Sequence, residues 1–410
     1  MIPRRPRIQY GTTMVLIAAI VSACSPSAPS EAGVAPTATA ATAAPGLPTP
    51  SPSVTTPPTP ATSCAERTLA KLTEAQRIGQ LFVLGLAADR LDGAERDAIA
   101  RYHFGSMAFT TRTAAGVRAI RAITDSVQKL ATPVATGGVR FFIAANQEGG
   151  LIQALSGSGF DDIPSAVSQG TLTPDGLRRV AARWGRQLAA AGVNLDFAPV
   201  ADIVPAGTEQ RNAPIGSLMR EFGHDPATVA SHVEAFVAGM RDARIATTAK
   251  HFPGLGRVVG NTDVTASVSD DVTLRGDSFL EPFAAAVEAR APFVMVSLAS
   301  YQRIDPQHLA VFSPAIIEGM LRADLGFRGV VISDALGARA VAGIPAATRA
   351  TDFLDAGGDM IISNQVKPAI EMAEALATRA AASTSFRERI DDAALRVLEA
   401  KGAAGLFTCG

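Results

Sequence analysis

Cysteine and histidine are scarce in this chain, and neither is clustered. The 410 residues include three Cys and five His, and no group of them has the spacing of metal ligands. We therefore expect no metal site. Basic residues do not outnumber acidic ones, and a formal net charge of -1 argues against a nucleic-acid-binding protein. Apolar residues are plentiful, at 47%, which is enough for a large globular core.

The N-terminus lacks an apolar run long enough to span a bilayer. The stretch Met14–Val21 is short and follows three basic residues, Arg4, Arg5 and Arg7. A positive segment before a short apolar one is typical of an export signal rather than of a membrane span.

The four residues Val21-Ser22-Ala23-Cys24 resemble a bacterial lipobox. The resemblance implies a signal peptide over residues 1–23, lipidation of Cys24 and anchoring to the outer face of the cell membrane. An ordinary signal peptide cut near Ala23 is the alternative. Removal of residues 1–23 leaves 34 basic and 38 acidic side chains, so the mature chain has a net charge of -4.

Residues 24–63 are predicted to form a tether. In residues 25–63, Ala, Pro, Ser, Thr and Gly make up 35 of 39 positions, and Glu31 carries the one charge. Such a composition cannot bury a core. Its prolines favour an extended chain of at most ~120 Å at ~3.1 Å per residue. A glycosylated stalk is the alternative.

From residue 65 onward, apolar segments alternate with amphipathic helical patterns. The predicted strands are Ile78–Leu86, Gly105–Thr110, Arg140–Asn146, Val193–Asp202, Ala246–Phe252, Ala291–Tyr301, Gly329–Asp334 and Gly358–Ser363. The predicted helices include Ala114–Leu130, Asp175–Ala191, Ala227–Ala243, Ser313–Ala323 and Pro368–Ala381. Strands that are apolar throughout and are separated by helices indicate a parallel sheet covered on both faces. We predict an α/β fold, a single-domain (β/α)8 TIM barrel over residues 64–410, rather than an open dinucleotide-binding sheet, since no G-x-G-x-x-G follows the first strand.

The two remaining cysteines, Cys64 and Cys409, bracket the predicted barrel. Export makes a disulfide chemically reasonable, and the ends of a closed barrel lie near each other. We expect the two to be bonded, with two free thiols as the alternative.

Polar residues follow several of the predicted strands. The third strand ends in Asn146-Gln147-Glu148, the fourth carries Asp196 and ends at Asp202, the fifth ends in Lys250-His251 and the seventh in Ser333-Asp334. In a barrel these strand ends share one face, where active sites are built. The sequence therefore predicts one site at this face.

Several of these segments together resemble glycoside hydrolase family 3, in particular its NagZ-like β-N-acetylglucosaminidases and their actinobacterial lipoprotein branch. The resemblance extends over about residues 70–400. It is carried by Asn146-Gln147-Glu148-Gly149-Gly150, Asn194-Leu195-Asp196-Phe197-Ala198-Pro199-Val200, Arg220-Glu221-Phe222-Gly223, Lys250-His251-Phe252-Pro253-Gly254, Leu325-Gly326-Phe327 and Gly329-Val330-Val331-Ile332-Ser333-Asp334.

The resemblance assigns roles to single residues. Asp334 matches the catalytic nucleophile, and the alternative is that it caps the next helix. Lys250, His251 and Arg220 match side chains that contact the sugar. For Lys250 the alternative is an ion pair with Asp196 or Asp202, and for Arg220 it is a solvated surface arginine. No metal or organic cofactor is implied.

The sequence departs from the family pattern in the loop after Lys250-His251. Where the family has an Asp-Ser-His acid/base dyad, this chain has Asn261-Thr262-Asp263. Asp263 is the candidate acid/base, provided that its surroundings raise its pKa. A turn role is the alternative, and Asp270, Asp271 and His224 are the other candidates.

A second departure follows the third predicted strand. Asn146 replaces a usual Asp, while Leu151 and Ala154 replace usual arginines. Asn146 still offers hydrogen bonds to a sugar, so it stays a candidate binding residue.

The resemblance implies a retaining exo-β-N-acetylglucosaminidase, acting on β-N-acetylglucosaminides or murein-fragment sugars. We expect an exported monomer that meets the membrane through its lipid anchor only. The alternatives are a sugar-binding lipoprotein with weakened or lost catalysis, and a family 3 hydrolase of other glycoside specificity.

Overall fold

Eight short parallel strands form the centre of the fold in the computed structural model, which describes residues 62–86 and 90–409. Their side chains are almost all buried. They are β1 (Phe82–Leu86), β2 (Ser106–Phe109), β3 (Phe142–Ala145), β4 (Leu195–Asp196), β5 (Ala246–Phe252), β6 (Phe293–Val296), β7 (Val330–Ser333) and β8 (Ile361–Ser363).

The strands pair in the order β7-β6-β5-β4-β3-β2-β1-β8. Backbone hydrogen bonds from Ser333 N to Met360 O and from Met360 N to Val331 O join β7 to the start of β8 and close the ring. The predicted (β/α)8 barrel is thereby confirmed.

Helices surround the strands and bury their apolar faces against them. They are α1 (Cys64–Lys71), α2 (Glu74–Gln80), α3 (Gly93–Tyr102), α4 (Gly116–Gln128), α5 (Pro133–Thr136), α6 (Ala166–Gln169), α7 (Pro174–Ala190), α8 (Pro226–Asp242), α9 (Glu281–Glu288), α10 (Ala346–Asp355), α11 (Val366–Ala382) and α12 (Thr384–Ala403). A π-helical segment, Ala315–Asp324, lies where Ser313–Ala323 was predicted to be an α-helix.

Seven of the eight strand predictions were too long, and three of them by four or more residues. Residues 78–80 end α2, because Thr73 and Gln76 form a reciprocal N-terminal capping box that starts a helix there. The fourth strand is regular only over Leu195–Asp196, with one isolated bridge from Val200 to Lys250, and the sixth ends at Val296. Residues Ser300–Tyr301 instead pair with Asp305–Leu309 in a separate small sheet.

The two ends of the described chain meet. Cys64 and Cys409 are joined by a disulfide, with their Cα atoms 5.7 Å apart. Next to this bond, Ala65 and Leu72 form a small buried cluster with Val139 and Leu398. Val139 lies in the turn before β3, so α1 sits at the end of the barrel where the strands begin.

Within the described part of the chain, no helix has the length and hydropathy of a membrane span. The same residues contain no group of three or more His, Cys, Asp or Glu side chains that could hold a metal ion. The predicted signal peptide, Cys24 and nearly all of the predicted tether lie outside the described residues.

Candidate active site

A cavity of about 540 Å³ opens at the ends of the strands. Loops after β3, β4, β5 and β7 form most of its wall. The six candidate catalytic and sugar-contact residues all line it: Asn146, Arg220, Lys250, His251, Asp263 and Asp334. Residues separated by up to 188 positions in the chain therefore share one site, as the strand-end argument predicts.

Glu148 organises the basic side of the cavity. Its carboxylate accepts two hydrogen bonds from Arg220, both 2.7 Å long, and lies 2.5 Å from Lys250 Nζ. Lys250 also donates to Asn146 Oδ1 over 2.8 Å. The alternative for Lys250, an ion pair with Asp196 or Asp202, is wrong, because its ammonium pairs with Glu148 instead. The solvated-surface alternative for Arg220 is also wrong, since its side chain is only 12% exposed.

The charges around Glu148 decide its ionisation. Burial alone would raise the pKa of this carboxyl, but the guanidinium of Arg220 and the ammonium of Lys250 outweigh it and lower the pKa to about 2. The carboxylate in turn raises the pKa of Arg220, against the opposing effect of burial. Both cations are therefore held in place by Glu148, and Arg220 stays charged.

Asp196 lies below this cluster and behaves differently. It is fully buried, and one of its carboxylate oxygens has no hydrogen-bond partner in the structure. Burial raises its pKa to about 7, although the N–H of Gln147 and the charge of Lys250 act against the rise. Asp196 is thus protonated far more readily than an ordinary aspartate.

His251 is oriented by Asp202. Asp202 lies in the segment after β4, and His251 lies near the end of the adjacent strand β5. Nδ1 of the imidazole bonds Asp202 Oδ2 over 2.8 Å. The other carboxylate oxygen accepts the N–H of Leu255 over 2.7 Å. Because Asp202 accepts the Nδ1 proton, Nε2 is the ring nitrogen left for a ligand in the cavity.

Asp334 directly follows β7. Its N–H donates to Val296 O on β6, and Oδ1 accepts the N–H of Ala335 over 2.7 Å. The next helical turn, Arg339–Val341, has no side-chain cap. The helix-capping alternative is therefore wrong, and the carboxyl is held on a barrel strand with its side chain toward the cavity.

The loop after β5 carries Asp263 and is fastened at both ends. Asn212 is buried and donates to Leu255 O and Val258 O over 2.7 and 2.8 Å. Farther along, Thr262 O and Asp263 O accept the N–H groups of Ala340 and Arg339. The loop thus connects the end of β5 to the segment that follows β7.

Within this loop the side chain of Asn261 stabilises a turn. Its Oδ1 accepts the N–H of Asp263 over 2.9 Å, which is an Asx turn. Asp263 is exposed to solvent at the cavity mouth. The protein around it still reduces its hydration, and this desolvation, with the negative charge of Asp334, raises its pKa. Asp263 therefore has both the turn geometry of the alternative role and the raised pKa that an acid/base requires.

The other candidate acids lie outside the cavity. Asp270 is buried and accepts the N–H groups of Val272 and Thr273. Asp271 accepts a hydrogen bond from Ser269 Oγ, and His224 bonds Val204 O. None of these three acids or bases lines the cavity.

The two positions at which the family pattern has arginines, Leu151 and Ala154, form an uncharged edge beside the cavity. Leu151 is 47% exposed, and its carbonyl accepts a hydrogen bond from Arg112. Ala154 is buried. Their neighbour Ile152 lines the cavity, so this edge presents an apolar side chain to a ligand.

The sequence argument assigned no role to Glu148 or Asn212, and it considered Asp202 only as an alternative partner of Lys250, although the site depends on all three. Glu148 and Asp202 were visible as strand-end acids, and that position was the available signal. Asn212 lies in an irregular segment, where no periodic pattern distinguishes a buried Asn from an exposed one.

The model of the glycosyl hydrolase family 3 N-terminal domain matches residues 73–400. The chain belongs to glycoside hydrolase family 3. Among curated members, the beta-hexosaminidase of Stenotrophomonas maltophilia (strain K279a) is 32% identical over 294 residues, which cover 69% of this chain and 82% of the relative.

Two solved structures extend the family likeness to the fold. The beta-N-acetylhexosaminidase from Beutenbergia cavernae DSM 12333 is 46% identical, with a TM-score of 0.80 over 81% of this chain and 99% of that one. LpqI of M. tuberculosis is 26% identical, with a TM-score of 0.68 over 82% of this chain and 95% of that one. The family match includes every residue that lines the cavity.

Proposed function

We propose that this family 3 glycoside hydrolase is a retaining exo-β-N-acetylglucosaminidase. The observation that carries the proposal is the convergence of two carboxyls, Asp334 and Asp263, with the Lys250–Glu148–Arg220 cluster on one cavity. Retaining glycosidases need one carboxylate as nucleophile and a second carboxyl as acid/base. The cationic cluster supplies fixed donors for sugar hydroxyls.

In the first step, the carboxylate of Asp334 attacks the anomeric carbon and the glycosidic bond breaks. Asp263 gives its proton to the leaving oxygen, and a glycosyl ester forms on Asp334. In the second step, Asp263 removes a proton from water, which attacks the ester and releases the sugar with retained configuration.

The electrostatics of Asp263 suit both of its tasks. Desolvation and the charge of Asp334 raise its pKa, which keeps a proton available for the first step. Once Asp334 is an ester it carries no charge, so the second of these causes disappears. The pKa of Asp263 then falls, and the group becomes a carboxylate when a base is needed.

Hydrogen-bond donors that are fixed in position at the cavity make the contacts to the sugar. Lys250 and Arg220 are held by Glu148, and Nε2 of His251 is free because Asp202 takes Nδ1. Fixed donors lose little conformational entropy when a ligand binds.

The substrate and location are part of the proposal. Terminal N-acetylglucosamine residues of murein fragments are the sugars that an exported enzyme of this class meets. Export rests on Arg4–Val21, and lipid anchoring rests on Cys24. We propose a monomer on the outer face of the cell membrane.

The test is turnover of an aryl β-N-acetylglucosaminide by the wild type, Asp334→Asn and Asp263→Asn. Asp334→Asn should lose at least about 10³-fold in kcat, because it removes the nucleophile. Asp263→Asn should lose less with an activated aryl leaving group, which needs little protonation. A slow fluorinated sugar should label Asp334, as read by mass spectrometry.

Asp271→Asn is the matched control, since it removes an exposed carboxylate from the same region without touching the cavity. It should keep wild-type turnover. Absence of wild-type turnover above background would reject the enzyme proposal. Full activity in Asp263→Asn with a poor leaving group would reject only the acid/base assignment.

A sugar-binding protein with weakened catalysis is the second candidate. The observation in its favour is that Asn261 uses its side chain to hold Asp263 in a turn, which needs no catalysis. This candidate predicts binding of N-acetylglucosamine without turnover, and calorimetry would distinguish it. A family 3 hydrolase of other specificity would instead turn over an aryl β-glucoside.

A further inference from the structure

Four arginines stand in an arc on the face of the barrel opposite the active site. Each lies in a turn between a helix and a strand, two or three residues before the strand begins. They are Arg140 before β3, Arg244 before β5, Arg290 before β6 and Arg328 before β7. Because β7, β6, β5, β4 and β3 are consecutive around the ring, these side chains follow one another along half of its rim.

The arginine arc is poor in compensating charge. All four residues are exposed, and among the described residues no carboxylate pairs with any of their guanidinium groups. The four turns, residues 137–141, 243–245, 289–292 and 325–329, contain no acidic residue. Three acids end the preceding helices. Asp242 and Asp324 pair with Arg178 and Arg275, and Glu288 has no cation partner within residues 62–86 and 90–409.

A shallow cavity lies within the arc. It has a volume of about 280 Å³ and is lined by both Arg140 and Arg244. Arg121 also lines it and is paired with Asp125 over 2.8 Å. Two unpaired guanidinium groups on one small concave surface form a suitable contact for a phosphate-bearing head group.

The chain enters the barrel beside this surface. Cys64 is bonded to Cys409, and α1 packs on Val139, the residue before Arg140. Arg140 N in turn donates to Leu406 O near the C-terminus. The described chain therefore begins at this face of the barrel rather than at the active-site face.

We propose that the arginine arc docks on an anionic phospholipid surface. The mature chain has a net charge of -4, so a protein with that charge spread evenly would be repelled by an anionic membrane. The arginine arc is a local region of positive charge on this otherwise negative protein. A tether of up to ~120 Å does not by itself orient the domain. Docking through the arc would orient it, with the active-site face directed away from the membrane.

The experiment measures binding of residues 62–410, which contain the complete closed barrel, to sedimented lipid vesicles. Vesicles of phosphatidylcholine are compared with vesicles that also contain phosphatidylglycerol, at about 50 mM and about 500 mM NaCl. The test variant is Arg140→Gln/Arg244→Gln/Arg290→Gln/Arg328→Gln. Glutamine keeps Cβ, so the left-handed backbone at Arg244 and Arg290 gains no new strain.

The matched control removes the same charge from the flank of the barrel: Arg96→Gln/Arg118→Gln/Arg179→Gln/Arg186→Gln. These four arginines are exposed on α3, α4 and α7 and make no ion pair within the described residues. Turnover of the aryl substrate and the unfolding midpoint should be unchanged in both variants, which makes the outcome independent of the proposed enzymatic activity.

We expect the domain to bind the anionic vesicles at low salt, and the arc variant to bind at least about tenfold more weakly than the flank control. Each basic side chain near such a surface contributes about fivefold in affinity. Equal binding by the two variants, or equal binding to neutral vesicles, would overturn the proposal. Preferential binding of soluble polyphosphate, or an arc-dependent change of oligomeric state in sedimentation velocity, would overturn it in favour of another occupant.

Discussion

The buried lysine of the last helix gives the sharpest stability prediction. Lys401 is fully buried at the end of the barrel where the strands begin, and its Nζ donates to Gln80 Oε1 and Gly105 O, each over 2.7 Å. No carboxylate pairs with it among the described residues. Burial lowers the pKa of Lys401 to about 7, from an ordinary value of 10.5.

The sign follows from proton linkage. Between these two pKa values the unfolded chain binds the proton and the folded chain does not, so lowering the pH favours unfolding. Each pH unit in that window changes the free energy of unfolding by about 1.4 kcal/mol. We expect the wild type to gain about 2 kcal/mol between about pH 8 and about pH 9.5. Asp196, with a pKa of about 7, is largely ionised throughout that interval.

Lys401→Met removes the titrating group at similar length. It leaves Gln80 Oε1 and Gly105 O without their donor, at a cost of roughly 1–3 kcal/mol each. The variant should therefore be less stable at about pH 9.5, and its disadvantage should shrink by about 2 kcal/mol at about pH 8.

Urea unfolding of residues 62–410, with the disulfide intact, measures both proteins across this interval. Lys367→Met is the control, since its side chain is 90% exposed and should leave the pH slope of the wild type unchanged. Parallel pH dependences for the wild type and Lys401→Met would refute the reasoning.

Further predictions concern the disulfide, the loop and the charged cluster. Cys409→Ser opens a disulfide that spans 345 residues and should lower the free energy of unfolding by roughly 2–5 kcal/mol, as should a reductant on the wild type. Asn212→Ala frees the loop after β5, so we expect faster proteolysis there and at least about a tenfold loss of kcat/KM. Because Leu255 O and Val258 O lose their buried donor, the free energy of unfolding should also fall, by roughly 1–3 kcal/mol for each group. Glu148→Gln releases both cations that it holds and should raise KM by at least about tenfold, read from saturation kinetics. Since a protonated Asp263 starts the reaction, kcat/KM should fall as pH rises through its raised pKa, and Asp263→Asn should lack that limb of the profile.

The family relationship leaves one chemical difference to explain. Family members of this type are expected to use an Asp-Ser-His dyad, and this chain has Asn261-Thr262-Asp263 in its place. Asn261 orders the turn, and Asp263 brings a carboxyl to the cavity mouth beside Asp334. Most retaining glycosidases use two carboxyl groups, one as nucleophile and one as acid/base. The exchange is therefore compatible with catalysis and changes which group carries the proton.

The sequence by itself determined the layout of the fold and the side of the barrel that carries the site. Strands that are apolar throughout and alternate with amphipathic helices indicate a parallel sheet covered on both faces. Polar residues that follow such strands lie on one face of the barrel. That reasoning is local, and it located Asn146, Lys250 and Asp334 at the face where the cavity opens. It overextended Ile78–Leu86, because a reciprocal cap on α2 outweighed the apolar pattern.

Only the tertiary structure decided which charges pair. Glu148 takes both Arg220, 72 residues away, and Lys250, while Asp202 takes His251. Which charged groups pair depends on distances of a few ångströms between side chains on strands that are far apart in the sequence. The periodicity of the sequence does not report those distances. The same holds for the arginine arc: its members are scattered over almost 190 residues of sequence, and only the closed ring aligns them on one rim.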